Sequence, residues 1–383
     1  MSIFNLLHPF FTLTFVPMLQ RSMNPLYRSQ RPSTRTLFPR RIHTPPSLQQ
    51  WIDHITARSP QRSHDILDPD RASQLQRALP TRQGGGYIDD LPGGAVLPPA
   101  HHLVYFRPRP MLRDLGEDGS ATELNPPAPF LRRMWAGGEF QWPSLFPPAT
   151  LSSSPPSFSP PSSFSSSSSP ANVLKVGELV TQVLTIPKVE YKKGKVFVHQ
   201  ERVLYPGSVR SDELTLGGDG WAVKETRIHV FQTAEERPTD KPSSPSLTSS
   251  PPAPPSISTP DPIYTHTYTP TTPLLFLFSA LTHNPHKIHY DHPFSVSHQH
   301  QKGTLVHGPL SALILVEIAD SVARQGTEGG DKAKRMVGFE YRATGAMVVD
   351  REVVTSAWWE GEVLALESRQ GGKVGMKARA RFV

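Results

Sequence analysis

The sequence predicts an α+β chain of two tandem units, each an antiparallel sheet curled around a helix, with the first unit degenerate. Three observations lead there. From Leu310 to Ala319 only Ser311 and Glu317 are polar, and a helix that apolar is buried on nearly all sides. Runs of strand length and strand composition follow it to the C-terminus. An earlier block offers the same kind of strands, with a weaker helix candidate.

The N-terminus comes first. Residues 1–52 hold six arginines (Arg21, Arg28, Arg31, Arg35, Arg40 and Arg41) and no lysine, and the first carboxylate is Asp53. A segment rich in Arg, Ser and Thr, poor in acids and opening on apolar residues has the composition of a mitochondrial transit peptide. Residues 1–47 are therefore expected to be a disordered leader, and the mitochondrial matrix the destination. The apolar stretch Ile3–Leu19 is interrupted by His8, Pro9 and Pro17 and is too short and broken to span a bilayer. The formal charge is +7, but setting the six leader arginines aside leaves the remainder near neutral. The basic balance thus gives no reason to expect a nucleic-acid partner. The absence of cysteine excludes disulfides, thiolate metal sites and a cysteine nucleophile.

Residues 48–96 form a helical and loop segment. Leu48–Leu79 reads as one or two polar helices, with Asp70 and Ser73 as helix-start residues. The first unit is placed at residues 97–235. It opens on HHLVYF (101–106), a strand-like run, and its short helix candidate is PFLRRMWAGGEF (129–140). LKVGELVTQVLTIPKVEY, KVFVHQERVLY and WAVKETRIHVFQ then read as strands, broken at Lys193-Gly194 and Gly217–Gly220. Ser/Pro tracts at 147–170 and 236–262 have no apolar periodicity, and proline removes backbone donors throughout; both read as disordered linkers.

The second unit is placed at residues 263–383. Pro309 sits well in the first turn of the apolar helix. VGFEYRATGAMVV, a pair of strands meeting near Gly361, and KVGMKARARFV follow. In the last, Val374, Met376, Ala378, Ala380 and Phe382 alternate with Lys373, Lys377, Arg379 and Arg381, one face in and one face out. A single helix wrapped by antiparallel strands is the geometry of a hot-dog fold, so the expectation is a tandem (double) hot-dog chain.

The residues that carry chemistry lie at 279–291, SALTHNPHKIHYD, and at Val306-His-Gly-Pro309 before the helix. With LPPAHHLVYFRP (97–108) and PFLRRMWAGGEF, these runs make the chain resemble the MaoC-like hydratase family. The closest resemblance is to the fungal and mitochondrial hydroxyacyl-thioester dehydratase type 2 group, over about Leu97–Val383. The resemblance implies reversible dehydration of a (R)-3-hydroxyacyl thioester, as in mitochondrial fatty-acid synthesis, with acyl carrier protein or coenzyme A as the thioester carrier. It implies no cofactor beyond the thioester carrier, and it leaves a homodimer open as the assembly.

Matched position by position, His289 falls on the family's catalytic histidine, and Asn284 falls where an aspartate precedes it by five residues. An imidazole can take the weakly acidic α-proton beside a thioester and deliver it to the leaving hydroxyl. A carboxamide cannot transfer protons at neutral pH, so Asn284 is left to orient water or the 3-hydroxyl. N–H groups at the helix start, from Gly308 and Leu310, would steady charge on the thioester oxygen. His307 and Asp291 complete the substrate-binding set. Each has a structural alternative: Asn284 as an Asn-Pro turn, His289 as a core histidine, Asp291 as a cap. His283 and His286 read as surface or supporting residues. His101-His102 and Arg132-Arg133 read as solvated edge residues or, alternatively, as lining of an acyl tunnel. Histidines at 283, 286, 289 and 292 have no carboxylate or cysteine at ligand spacing, so no metal is expected.

Three rival functions share these residues. One is hydration of a short or dicarboxylic enoyl-CoA of the mesaconyl-C4-CoA type, which needs an arginine placed for a distal carboxylate. Another is a catalytically silent acyl-thioester-binding protein. The third is a thioesterase.

Overall fold

The computed structural model describes residues 44–82, 90–143, 172–207, 220–233, 260–325 and 334–383. The leader up to residue 43 and nearly all of both Ser/Pro tracts lie outside the described residues.

The second unit follows its sequence pattern closely. Strand β6 (Tyr264–Tyr268) leads into helix α3 (Thr272–Thr282). The Thr271 hydroxyl accepts from the Leu274 N–H to cap that helix, and Pro273 fills its first turn. Helix α4 (Gly308–Gln325) is the predicted apolar helix, and every residue from Leu310 to Ala319 is buried. Strands β7 (Met336–Ala343), β8 (Val353–Glu360), β9 (Val363–Gln370) and β10 (Lys373–Phe382) complete the unit. Helix α4 lies against β7, β9 and β10. In β10 Lys377, Arg379 and Arg381 are exposed while Met376, Ala378 and Ala380 are buried, as the alternation requires.

The first unit contains helix α1 (Pro46–Thr56), strand β1 (Gln61–Ile66), helix α2 (Pro69–Ala78) and strands β2 (Arg132–Gln141), β3 (Leu179–Lys192), β4 (Lys195–Pro206) and β5 (Val223–Gln232). Four expectations change here. The segment read as polar helices also holds a strand, β1, whose QRSHDI carries no apolar alternation. The cap of α2 is Asp68, which accepts from the Arg71 N–H, not Asp70 or Ser73. HHLVYF is a buried helical turn over His101–Val104. PFLRRMWAGGEF is not the short helix but strand β2, whose paired glycines let neighbours approach: a Cβ on Gly138 would lie 2.1 Å from the Thr226 carbonyl oxygen.

All ten strands form one antiparallel sheet, in the order β1-β3-β4-β5-β2-β7-β10-β9-β8-β6. Reading outward from the centre, the second half repeats the first with each strand five places later in sequence, which is the signature of a tandem repeat. The join is β2 against β7, with Phe140 opposite Phe339 and Gly138 opposite Tyr341. One core runs through both units and includes Leu75, Leu103, Phe140, Phe278, Leu313 and Leu364. Helix α2 stands in the first half where α3 stands in the second. Among the described residues α4 has no first-unit counterpart of comparable length. The inner face of the first sheet is therefore only partly covered: α1 lays Leu48 and Ile55 on Val196, Val198 and Phe231 at one end, and much of the rest faces a cavity.

Candidate active site

Helix α3 ends at His283, which adopts the left-handed conformation (φ 52°) and donates through Nδ1 to the Pro108 carbonyl. The chain then turns through Asn284-Pro285 into one helical turn, Lys287–His289. The Asn284 side-chain oxygen accepts from the His286 N–H at 3.2 Å, so the carboxamide both shapes the turn and lines the cavity. This loop is held from outside by the first unit. The Lys287 N–H donates to the Asp118 carbonyl at 2.8 Å, and Gly119 (φ 80°) packs so tightly on the loop that a Cβ would lie 2.2 Å from the Pro285 oxygen. A left-handed glycine is needed there on both counts.

His289 is buried, and its Nδ1 meets the Leu305 carbonyl at 2.8 Å. A carbonyl only accepts, so Nδ1 carries the proton and the Nε2 lone pair is left for the cavity, which His289 lines. Burial, helped by neighbouring His286 and Arg133, pulls its pKa down to about 3. The imidazole is therefore neutral across the physiological range, with its Nε2 unprotonated.

His286 is not a surface residue: it is buried, lines the cavity, and its Nε2 faces the Asp118 carboxylate at 3.2 Å. Burial pushes the Asp118 carboxyl up, but hydrogen bonds from His286 and from Ser120 outweigh it and hold the group ionised well below the usual range.

The site residues expected from sequence divide in two. Asn284, His289 and Gly308 all lie on the wall of one cavity of about 680 Å³. Gly308 opens α4, and as one of the helix's first N–H groups its own has no intrahelical partner. Two of the others are corrected, and Asp291 takes the cap reading weighed for it. His307 is fully buried behind His289, with Nε2 at 2.8 Å from the Ser279 hydroxyl. Leu310 is fully buried in the core and gives no atom to the wall; Ser311 takes that place. Asp291 caps the next helical turn, its carboxylate accepting from the Phe294 N–H at 2.9 Å. Among the described residues no cluster of His, Cys, Asp or Glu is arranged to hold a metal, and no helix is long and apolar enough to cross a membrane.

The first unit supplies the rest of the wall, which sequence reasoning largely missed. Arg133 and Trp135 from β2, Gln200 and Arg202 from β4, and Arg227 and His229 from β5 line the same cavity. Of the pairs in doubt, Arg133 is the one that lines it. Arg132 donates to the Gln299 carbonyl. His101 and His102 are neither solvated nor in the wall: they are buried against Glu317 and Glu225. No local motif announces these groups, because cross-strand pairing gathers them from three strands. Period-two polar residues inside otherwise apolar strands are the signal that was available.

The comparisons agree with this geometry. The profile of the family described as hydroxyacyl-thioester dehydratase type 2 matches residues 100–154 and 163–349. A mesaconyl-C(4)-CoA hydratase from Chloroflexus aurantiacus is 28% identical over 252 residues, covering 64% of this chain and 69% of that protein. The crystal structure of a MaoC-like dehydratase from Phytophthora capsici superposes with a TM-score of 0.53 at 10% identity, over 87% of this chain and 97% of the other. Another MaoC-like dehydratase gives 0.51 at 10% identity, over 86% and 100%. A loop that brings His289 to the start of a buried helix, a sheet of hot-dog design made twice over and a family profile spanning both units leave one conclusion: the chain is a hydro-lyase with a double hot-dog fold and belongs to the hydroxyacyl-thioester dehydratase type 2 family.

Proposed function

We propose that the protein adds water to, and removes it from, a 2-enoyl/(R)-3-hydroxyacyl thioester, with His289 as the proton-transfer group. The observation that carries this is the Nδ1 bond to Leu305, which fixes the tautomer and leaves the unprotonated Nε2 on the cavity. In the hydration direction a water oxygen bonds to C3 while one of its protons passes to Nε2. The imidazole then returns a proton to C2, so that H and OH add across the double bond. Asn284 orients the water, and the Gly308 N–H at the head of α4 steadies the negative charge that grows on the thioester oxygen.

Two finer readings share this chemistry. The leader composition and the family favour a 3-hydroxyacyl carrier-protein dehydratase of mitochondrial fatty-acid synthesis, working in the matrix, with a homodimer as the candidate assembly. The arginine-bearing wall, together with what the Chloroflexus relative's name says it acts on, favours a short or dicarboxylic enoyl-CoA. We take the second as the better fit for the acyl group and retain the first for the compartment.

The test is hydration of crotonyl-CoA, followed by loss of enoyl-thioester absorbance, in the parent and in His289→Ala. Activity that falls by about 10²-fold or more in the variant is expected for a lost acid–base group. A folded parent inactive on short and long enoyl thioesters would replace this reading with that of a silent acyl-thioester-binding protein.

A further inference from the structure

Cross-strand register puts one set of first-unit residues on the inner face of its sheet. Arg202 lies opposite Glu225, Gln200 opposite Arg227, and Val198 opposite His229. In a unit with a full-length central helix this face would be apolar; here it is polar and turned to the cavity. Arg202 is held between two buried amides, donating through Nη1 to Gln182 Oε1 and through Nη2 to Gln200 Oε1, both at 3.1 Å. Gln182 is tied in turn to Ser63, and Gln200 to His229. The Nε of Arg202 is buried without a hydrogen-bond partner.

Charge on this wall does not balance. Glu225 is occupied by Arg227, through both carboxylate oxygens, and by His102. No carboxylate among the described residues forms an ion pair with Arg202 or with Arg133, which donates instead to the Ala121 carbonyl at 3.3 Å. Burial and the adjacent Arg227, against a smaller opposing pull from Glu225, draw the Arg202 pKa down to about 9, yet it stays a cation at neutral pH. A desolvated guanidinium with amide partners and no carboxylate at ion-pair distance is costly unless an anion arrives, and its planar fork matches a carboxylate. The phosphates of a coenzyme A or carrier thioester are separated from the reacting carbons by the whole pantetheine arm, whereas a carboxylate on the acyl chain enters the cavity with them.

We propose that Arg202, set between Gln182 and Gln200, is the receptor for a carboxylate on the acyl chain, so that the thioesters this chain prefers carry a second carboxyl group. Arg133 extends the same positive wall toward His289. The proposal rests on reading the cavity as the acyl site of a hydratase.

Crotonyl-CoA and glutaconyl-CoA differ only by a carboxylate on C4, and the ratio of their kcat/KM values reads the receptor directly. The parent is expected to favour glutaconyl-CoA. In Arg202→Met that ratio should fall about 10²-fold, the size expected when a buried charge pair loses one partner, while Arg202→Lys should retain part of it. A parent that prefers crotonyl-CoA, or a ratio untouched in Arg202→Met, overturns the proposal and leaves the hydratase reading standing. If the parent hydrates neither substrate, the hydratase reading fails and calorimetry with the unreactive pair glutaryl-CoA and butyryl-CoA decides. Tighter glutaryl-CoA binding that weakens in Arg202→Lys supports the receptor; equal binding overturns it. Repeating the ratio with N-acetylcysteamine thioesters, which lack phosphate, separates the two anion sources. An effect of Arg202→Met that vanishes there would assign the arginine to the carrier and overturn the proposal.

Discussion

The imidazole of His307 lies flat against that of His289, with ring centroids 3.6 Å apart and planes 18° from parallel. His307 is anchored by Ser279 on α3 and leads directly into α4, so it sets the plane of the imidazole in front of it without reaching the cavity. His307→Phe should keep the stack and lose only the anchor, lowering kcat several-fold. His307→Ala should also leave a void and cost about 2–4 kcal/mol of stability, by analogy with other large-to-small core changes. Paired thermal melts and crotonyl-CoA assays separate the two effects.

Acid should unfold the protein before it silences the imidazole. His101, His229, His289 and His307 all have pKa values lowered by burial, whereas in the unfolded chain each returns to about 6.5. Between the folded and unfolded values the unfolded state binds protons that the native state refuses, so stability falls as pH drops below about 6.5. Each histidine contributes up to about 1.4 kcal/mol per pH unit. Urea midpoints at pH 7.5 and 5.0 should show the loss. Where the protein stays folded, kcat should not titrate near 6.5, because His289 does not protonate until about pH 3. A midpoint near 6.5 would show that His289 is solvated.

Asn284 offers a substitution in the other direction. Asn284→Asp keeps the acceptor for the His286 N–H and adds a negative charge, which favours the imidazolium of His289. It should stay within a few-fold of parental kcat and acquire an acid limb in its pH profile. Asn284→Ala, which loses both the turn and the water-orienting amide, should fall by about 10-fold or more. Equal pH profiles in parent and Asn284→Asp would separate residue 284 from the proton-transfer step.

Gly308 is where α4 meets the first unit. A Cβ there would come within 2.7 Å of Trp135 Cγ and 2.8 Å of its Cβ and Cδ1. Gly308→Ala should displace the indole from the cavity wall, costing about 1–3 kcal/mol as overpacking does and raising KM for the acyl thioester. An unchanged KM with a lowered melting point would make the contact purely structural.

Glu317, the one charged residue in the apolar run of α4, joins Arg82 and His101 at 2.6 and 2.8 Å. Its carboxyl is pushed up by burial, but those two partners hold it down at about 2. Glu317→Gln would remove the buried carboxylate that Arg82 and His101 share, at a cost of about 3–5 kcal/mol, read as a lower urea midpoint with kcat little altered.

The same residue shows what sequence could and could not reveal. The burial of α4 was legible because ten residues in a row were nearly all apolar. The partners of Glu317 were not, since Arg82 and His101 lie more than two hundred positions away. β10 was legible from period-two alternation, and β8 and β9 as strand-length runs meeting near Gly361. β1 was not, because its side chains are polar on both faces and its place is fixed by pairing with β3. PFLRRMWAGGEF was read as a short helix, yet Gly137 and Gly138 serve close strand approach. In the site, the loop carrying Asn284 and His289 was legible as a contiguous motif. Asp118, Arg202 and His229 were not, since each gains meaning only from a neighbour distant in sequence.

The β2–β7 join also bears on how such a site can change over generations. In a symmetric dimer of identical subunits, a substitution that reshapes the acyl wall of one copy also appears in the sheet beneath the catalytic helix of the other, because both are encoded by the same codon. Covalent duplication cuts that tie. One repeat carries the imidazole and the helix that serves it, while the other is free to lose its helix and vary its inner face. Selectivity for the acyl group and competence in proton transfer thus become separately heritable traits of a single polypeptide.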